Sequence, residues 1–350
     1  MKKSITIKDI AEMAGVSITT VSRVLNNNQW VADKTKAKVD KVIKEHNFSP
    51  NLVARGMISK KTHMLAVVVS DITNPYFVML VEQIEKVSLQ AGYKVMLFDT
   101  QSANKGPTGS AQHIDENIFT SVISSQLDGV IILGGEIDYL VVPESYLEAL
   151  KKLTETIPTV VVGRNIAQLD YPCIVRDQTH SVELVTQHLI DKGYRKIAFI
   201  GGSEKVYITK QRIKAFKDQL AKAGLTADDS LIIETNFYLQ HGYQAAERLI
   251  QQSQKGGLPV AILAINDQVA IGAVRALKDN NISVPQDIAV ASCEYFPGSE
   301  YYVPRITTVD HQNAQIGQAV TTTILDIIEP REQASEYPEI VSVLIEGESC

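Results

Sequence analysis

The chain has 350 residues, 45% of them hydrophobic, enough to build large cores and, at about 100 to 200 residues per domain, to make two or three domains. It has no apolar run of membrane-spanning length and no apolar segment behind Met1-Lys-Lys-Ser-Ile-Thr6, so neither a membrane protein nor a secreted one is expected, and a cytoplasmic location is. The net charge of -6 is divided: residues 1–61 hold 12 Lys or Arg against 5 Asp or Glu, a net of +7, and the remainder holds 22 against 35, a net of -13. That is the charge distribution of a basic nucleic-acid-binding head on an acidic body.

Ile7, Ile10, Ala11 and Ala14 fall at i, i+3, i+4 and i+7, one stripe of a short helix. Gly15 supplies a turn and Ser17 the N-cap of a second helix, which buries Val21, Val24 and Leu25. Ser17, Thr19, Thr20, Ser22, Arg23 and Asn26 then face outward, with no acidic side chain among them. Such groups suit phosphates and base edges, so the pair reads as a DNA-reading unit. Ile18 opens the second helix as an exposed apolar residue, which makes sense against a thymine methyl or a sugar edge. The lysines of this region are either phosphate-directed or merely solvated and receive no individual roles.

Val39, Val42 and Ile43 give a third stripe within a Thr35–His46 helix, closing a three-helix head. A further helix is expected over Ser49–Ser59, with Ser49 as N-cap and Pro50 at the first helical position. It falls short of the roughly 12 to 15 residues that an isolated helix needs, and Gly56 costs it about 1 kcal/mol more, so it forms only when supported.

From Met64 the pattern becomes apolar strand, turn and amphipathic helix, repeated. Leu65–Val69, Lys94–Phe98, Gly129–Leu133 and Thr159–Val162 are near-continuous apolar runs, as buried parallel strands require. Lys196–Ile200, Leu231–Ile233, Val260–Ala264 and Ile288–Ala291 form a second set, and Glu339–Ile345 reads as a last strand. The fold class is therefore α/β: a helix-turn-helix head, then two doubly wound parallel-sheet lobes with a ligand cleft at the carboxyl ends of the strands. The Gly-, Ser- and Pro-rich stretch from Ser102 to Gly109 is either a rim of that cleft or a plain surface loop.

Three stretches, Thr6–Asn26, Phe48-Ser-Pro-Asn-Leu-Val-Ala-Arg-Gly-Met57 and Asp71-Ile-Thr-Asn-Pro-Tyr-Phe77, occur in the order and spacing of one family. Through them the chain resembles the lactose-repressor (LacI/GalR) family of bacterial transcription regulators along nearly its whole length. The resemblance implies a helix-turn-helix domain over 1–48, a hinge helix over 49–61 and a bilobed, periplasmic-binding-protein-like effector and dimerisation domain over 62–350. Its lobes are expected at about 62–163 plus 293–308, and 164–292 plus 309–350. DNA contacts are implied for Thr6, Ser17, Ile18, Thr19, Thr20, Ser22, Arg23 and Asn26, and in the hinge for Asn51, Ala54 and Met57. Met57, where the family usually has Leu, is the implied apolar wedge in the minor groove.

Effector contacts are implied for Asp71, Asn74, Tyr76, Phe77, Arg164, Arg212, Asn266, Asp267 and Glu294, with Arg212 as a bidentate anchor. Alternatives stand beside these: Asp267 or Asn266 could cap the following helix, and an arginine could bridge the lobes. The chain departs from the family where Ser292-Cys-Glu294 replaces a Gly-aromatic-Asp run and where Gly163 replaces a common acidic residue, leaving Arg164 and Asn165 as the polar groups there.

The sequence has no Gly-Lys-Ser or Gly-Lys-Thr phosphate loop, no Gly-x-Gly-x-x-Gly and no Gly-x-Ser-x-Gly elbow. Its seven histidines lack metal-ligand spacing, and Cys173, Cys293 and Cys350 are too scattered for a zinc site or a disulfide framework. No catalytic residue, cofactor or metal is expected. The expected function is a homodimeric repressor binding an inverted repeat of double-stranded DNA under control of a small-molecule effector, a sugar from a carbohydrate operon; the alternative is a non-sugar effector or a protein co-regulator. A secreted solute-binding protein would share the lobes but not the basic head, and a sugar-modifying enzyme would need catalytic carboxylates in the cleft.

Overall fold

The computed structural model describes residues 5–25, 31–46, 48, 61–102, 114–252, 257, 259–330 and 339–350. They fall into two compact units, Met1–Thr62 and His63–Cys350. The expected contacts Asn26, Asn51, Ala54 and Met57 lie outside the described residues, as do the Ser49–Ser59 helix and the stretch after Ser102.

Among the described residues the first unit holds three helices, α1 (Ile7–Ala14), α2 (Ile18–Leu25) and α3 (Asp33–Glu45). Thr6 caps α1 in a reciprocal box: its backbone N–H donates to Asp9 Oδ2 at 2.7 Å, and the Asp9 N–H donates to Thr6 Oγ1 at 3.4 Å. Gly15 ends the helix at φ 63°, a left-handed conformation that a side chain would strain. The Ser17 hydroxyl accepts from the Thr20 N–H at 3.1 Å and so opens α2. Ile10, Ala11, Ala14, Val21, Val24 and Val39 meet in one buried cluster, which fixes the angle between the two short helices.

The second unit contains two parallel sheets. The first runs in the order β2 (Lys94–Asp99), β1 (Met64–Val69), β3 (Gly129–Leu133), β4 (Thr159–Val162), β5 (Cys173–Ile174). Alternation along β1 divides its side chains between two cores. Leu65, Val67 and Val69 pack under α4 (Pro75–Gln90) and α11 (Asn313–Ile328), while Ala66 and Val68 pack against α5 (Ile114–Ser124) and α6 (Glu144–Thr156). The second sheet runs β7 (Ile232–Ile233), β6 (Ile197–Ile200), β8 (Ala261–Ala264), β9 (Ala289–Ser292), covered by α7 (Gln178–Asp191), α8 (Tyr207–Lys222), α9 (Leu239–Gln252) and α10 (Asp267–Asp279). Helices α9 and α10 touch backbone to backbone: a Cβ on Gly242 would lie 2.0 Å from the Val269 carbonyl oxygen, and one on Gly272 would lie 1.9 Å from that of Leu239. A small antiparallel pair, β10 (Thr308–Asp310) with β11 (Val343–Ile345), completes this lobe.

The lobe boundaries differ from those expected. The first sheet continues past residue 163, because β5 pairs with β4 through Val161 and Cys173. Residues 293–308 belong with the second lobe: Cys293 and Ile306 lie in its core, and Thr307 bridges Ala291 of β9. Residues 309–350 are shared. Ile316, Val320 and Ile324, one stripe of α11, pack into the first lobe, whereas Val309 and Leu344 pack into the second. The chain therefore crosses between lobes after β5, between β10 and α11, and between α11 and β11. The final strand is also shorter than expected, Val343–Ile345 instead of Glu339–Ile345.

Candidate functional site

In the head, α2 presents the expected face. Ser17, Thr19 and Arg23 are exposed, Thr20 and Ser22 are half-buried, and Ile18 keeps 44% of its surface in solvent. Thr6 is exposed but already occupied in capping α1. The hydroxyls of Ser17 and Thr20 are 2.9 Å apart, so they bond each other across the first turn of the reading helix.

Between the lobes of the second unit lies a cavity of about 510 Å³, a volume typical of small-ligand sites. Its walls come from strand ends and helix starts, where loops leave polar groups free of ladder bonding. Of the expected effector residues, Asn74, Tyr76, Phe77, Arg164, Asn266 and Glu294 line it, as does Asn165. Asn74 caps α4 by accepting from the Tyr76 N–H at 3.1 Å. Asn266 caps α10, accepting from the Val269 N–H at 2.9 Å, and donates from Nδ2 to the Phe237 carbonyl at 3.0 Å. Tyr76 stands beneath the Arg176 guanidinium, 4.2 Å from its ring centre, and burial pushes its hydroxyl up to about 12.

Three expected contacts do not open into the cavity. Arg212 is fully buried, and its guanidinium is spent inside the protein. Nε and Nη2 donate to Gln178 Oε1 at 3.0 and 2.7 Å, Nη1 to the Ile265 carbonyl at 2.5 Å, and Nη2 to Glu294 Oε2 at 2.9 Å. The bidentate fork is present, but it grips the scaffold. Asp267 is buried beneath the floor, accepting from the Ser292 hydroxyl and from the Phe296 N–H at 3.1 Å, and burial raises its carboxyl to about 6. Asp71 accepts from the Thr73 N–H and hydroxyl at 2.8 and 2.6 Å, and from the Tyr238 hydroxyl of the second lobe. It ties the lobes together beside the cavity.

Sequence reasoning missed the partner that organises the floor. Arg176, on the crossing from β5 to α7, donates to Glu294 Oε1 at 2.6 Å, so Glu294 holds two guanidinium groups at once. Burial works against its charge, yet Arg176 and Arg212 outweigh it and hold the carboxyl far below the usual range. His311 packs beside this array. Burial and the Arg176 charge push it down to about 3, so it is neutral, with Nε2 3.0 Å from the Cys293 carbonyl and Nδ1 3.3 Å from the Ser342 hydroxyl. Also missed were Asp138, Tyr139, Gln178, Tyr207, Phe237 and Phe296. Asp138 and Tyr139 follow the Gly134-Gly135 pair that ends β3, a break in the apolar pattern that marks a loop at the carboxyl edge. At this edge the lobes also meet through backbone: Tyr139 bridges Val206, and the Leu140 N–H donates to the Lys205 carbonyl at 2.8 Å. Arg164 donates to the Tyr139 carbonyl at 2.8 Å and lies 4.5 Å above the Tyr207 ring.

Residues 6–51 match the bacterial regulatory proteins of the lacI family, and residues 186–350 match a periplasmic binding protein-like domain. Over 90% of its length the chain is 33% identical to catabolite control protein A of Staphylococcus xylosus, covering 89% of that protein. It belongs to the lacI family. The HTH-type transcriptional repressor PurR of Vibrio atlanticus (strain LGP32) is 29% identical over 96% of this chain and 97% of its own. The solved lac repressor dimer, bound to operator and the anti-inducer ONPF, superposes with a TM-score of 0.83 over 99% of each chain at 23% identity, a likeness of fold. As a lacI-family member the chain is a DNA-binding transcriptional repressor, and its family binds operator DNA and small-molecule effectors. No helix among the described residues is long and apolar enough to cross a membrane, and no cluster of three His, Cys, Asp or Glu side chains among them could hold a metal.

Proposed function

We propose that this repressor is controlled by a neutral sugar bound between the lobes, and that it acts in the cytoplasm as a homodimer on an inverted-repeat operator. The observation that carries the reading is the balance of the cavity wall: Arg164 and Arg176 are matched by Asp138 and Glu294, and Tyr76, Phe77, Tyr207, Phe237 and Phe296 stand among them. Apolar rings interleaved with hydrogen-bonding groups of no net charge fit a molecule with apolar faces and hydroxyl edges.

In this reading residues 1–48 read DNA, 49–61 form the hinge and 62–350 sense the ligand. Thr6, Ser17, Ile18, Thr19, Thr20, Ser22 and Arg23 belong to the operator-facing surface, with Ile18 and Arg23 at base edges and the hydroxyls on phosphates. Ligand binding changes the angle between lobes. That angle sets the spacing of two hinge segments too short to be helical alone, so a differential affinity of a few kcal/mol becomes a large change in operator occupancy.

The test is a thermal-shift and calorimetric panel on the full chain with neutral mono- and disaccharides, their phosphate esters and free purine bases, joined to mobility shifts on an operator selected from random DNA. Binding of a neutral saccharide that changes operator affinity supports the reading. The abundance of aromatic side chains favours a planar heterocycle as the second reading, and a hit confined to the purines would install it. A panel with no hit at all would turn attention to a protein co-regulator.

A further inference from the structure

One carboxylate on the cavity wall stands apart from the rest. Asp138 lies in the short turn that follows β3, and its side chain accepts no hydrogen bond from any described residue. The space it occupies is made by two absent side chains. Gly134 ends β3 and Gly163 ends β4, both at positive φ; a Cβ on Gly134 would lie 3.0 Å from Asp138 Oδ2 and 3.2 Å from the Phe77 ring, and one on Gly163 3.3 Å from Asp138 Oδ1. Neighbouring cations do not satisfy it. Arg176 is bonded to Glu294 and stacked on Tyr76, and Arg164 is bonded to the Tyr139 carbonyl and stacked on Tyr207. They supply charge to Asp138 but no donor. Burial accordingly raises the carboxyl to about 6, against the pull of Arg176 and Arg164.

Asp138 is half-buried and faces the cavity, so a carboxylate there that has no donor among the described residues is open to donors from a ligand. Its two oxygens, spaced as a fork, match two adjacent hydroxyls, and its charge repels a phosphate or a carboxylate placed in the same cavity. We propose that Asp138 selects the ligand, accepting hydrogen bonds from neighbouring hydroxyls of a neutral saccharide and turning away its anionic derivatives. This rests on the saccharide reading above and adds the residue that enforces it. Arg164, bonded through Nη1 to the Tyr139 carbonyl, lines the same cavity and can donate to the same ligand.

The experiment compares full-length wild type, Asp138→Asn and Asp138→Ala by calorimetry against D-glucose, D-galactose, maltose, cellobiose and sucrose, and against glucose 6-phosphate and galactose 6-phosphate. Asparagine keeps the size and removes the charge. The expected result has three parts. A neutral saccharide bound by wild type loses at least 30-fold in affinity in Asp138→Asn. Wild type prefers it over its phosphate ester by at least 10-fold, and that preference narrows in the variant. The unliganded variant melts no lower than wild type and still shifts operator DNA, which a merely structural aspartate would not allow. A saccharide bound equally by wild type and Asp138→Asn overturns the proposal and leaves the saccharide reading standing, and so does a variant that loses binding together with melting temperature. A wild type that binds no saccharide overturns the reading itself.

Discussion

The two walls of the cleft treat buried charge in opposite ways. On the second-lobe side, Glu294 is gripped by Arg176 and Arg212, and Arg212 is gripped in turn by Gln178 and the Ile265 carbonyl, so its every donating nitrogen has a partner. On the first-lobe side, Asp138 has charges nearby but no donor among the described residues. Saturated charge is structure: it fixes the crossing segments and costs a great deal to break. Unsaturated charge is poised for an occupant, and it lowers the stability of the unliganded protein. Residue type alone does not separate the two, since both walls use an arginine and a carboxylate.

The sharpest way to break this contrast is Glu294→Gln. It leaves two buried guanidinium groups sharing one amide, and a loss of about 3–5 kcal/mol is expected, on the order of 10 °C in Tm, read by urea and thermal denaturation. A loss below about 1 kcal/mol would mean that the array is no more structural than Asp138. Arg212→Lys comes next. Lysine cannot span Gln178, Ile265 and Glu294 at once, and a cost of about 1–3 kcal/mol should appear in stability with saccharide affinity following it only indirectly.

Acidification sharpens the comparison through its sign. Asp138 and Asp267 have folded values near 6 against 3.8 for the free side chain, so the folded state binds more protons between those limits, and their contribution makes the protein more stable as pH falls from 7 toward 4. His311, pushed down to about 3, works the other way, since the unfolded chain takes up its proton first below about 6.5. Glu294 stays charged in the folded state throughout, but the unfolded chain takes up its proton as pH falls toward 4.5, so its stabilising contribution begins to be lost at the acid end of this window. Comparing Asp138→Asn with wild type isolates one group: the variant should be the more stable at pH 7.5, with its advantage shrinking by pH 5.0. The smallest expected effect is Asn266→Ser, which keeps the cap of α10 and loses the bond to Phe237, at about 1 kcal/mol.

Much of the scaffold was legible because its signals are local. The apolar runs at 65–69, 129–133 and 159–162 become β1, β3 and β4 within a residue, since a strand buried on both faces has to be apolar throughout. The lobe boundaries were not legible. Strand β5 has two residues, Cys173 and Ile174, too few for any period, and the register that joins it to β4 exists only in three dimensions. Within the cavity wall, Tyr76 and Phe77 stand in the first turn of α4 and Asn266 caps α10, helix starts that the sequence marks by an Asn cap after an apolar strand. Arg212 was singled out as a ligand anchor, and what its guanidinium bonds to was not legible, because whether an arginine faces a ligand or a carboxylate depends on Gln178, 34 residues before it, and Glu294, 82 residues after it. Asp138 escaped notice for the complementary reason: what distinguishes it is that no described residue donates to it, and a sequence does not display an absence.

The packing of Gly242 and Gly272 has a consequence for how the molecule can move. Each glycine faces the main chain of the neighbouring helix, so no rotamer change relieves a substitution at one, and no compensating substitution at the other restores the fit. Helices α9 and α10 therefore have no room to slide past each other by small side-chain adjustments, as helices packed through long side chains do. Sliding is barred between these two helices, and they turn as one piece. Rotation of the cleft falls on the interlobe crossings instead, and among the described residues the short segments around 175–177 and 310–312 are two of its pivots.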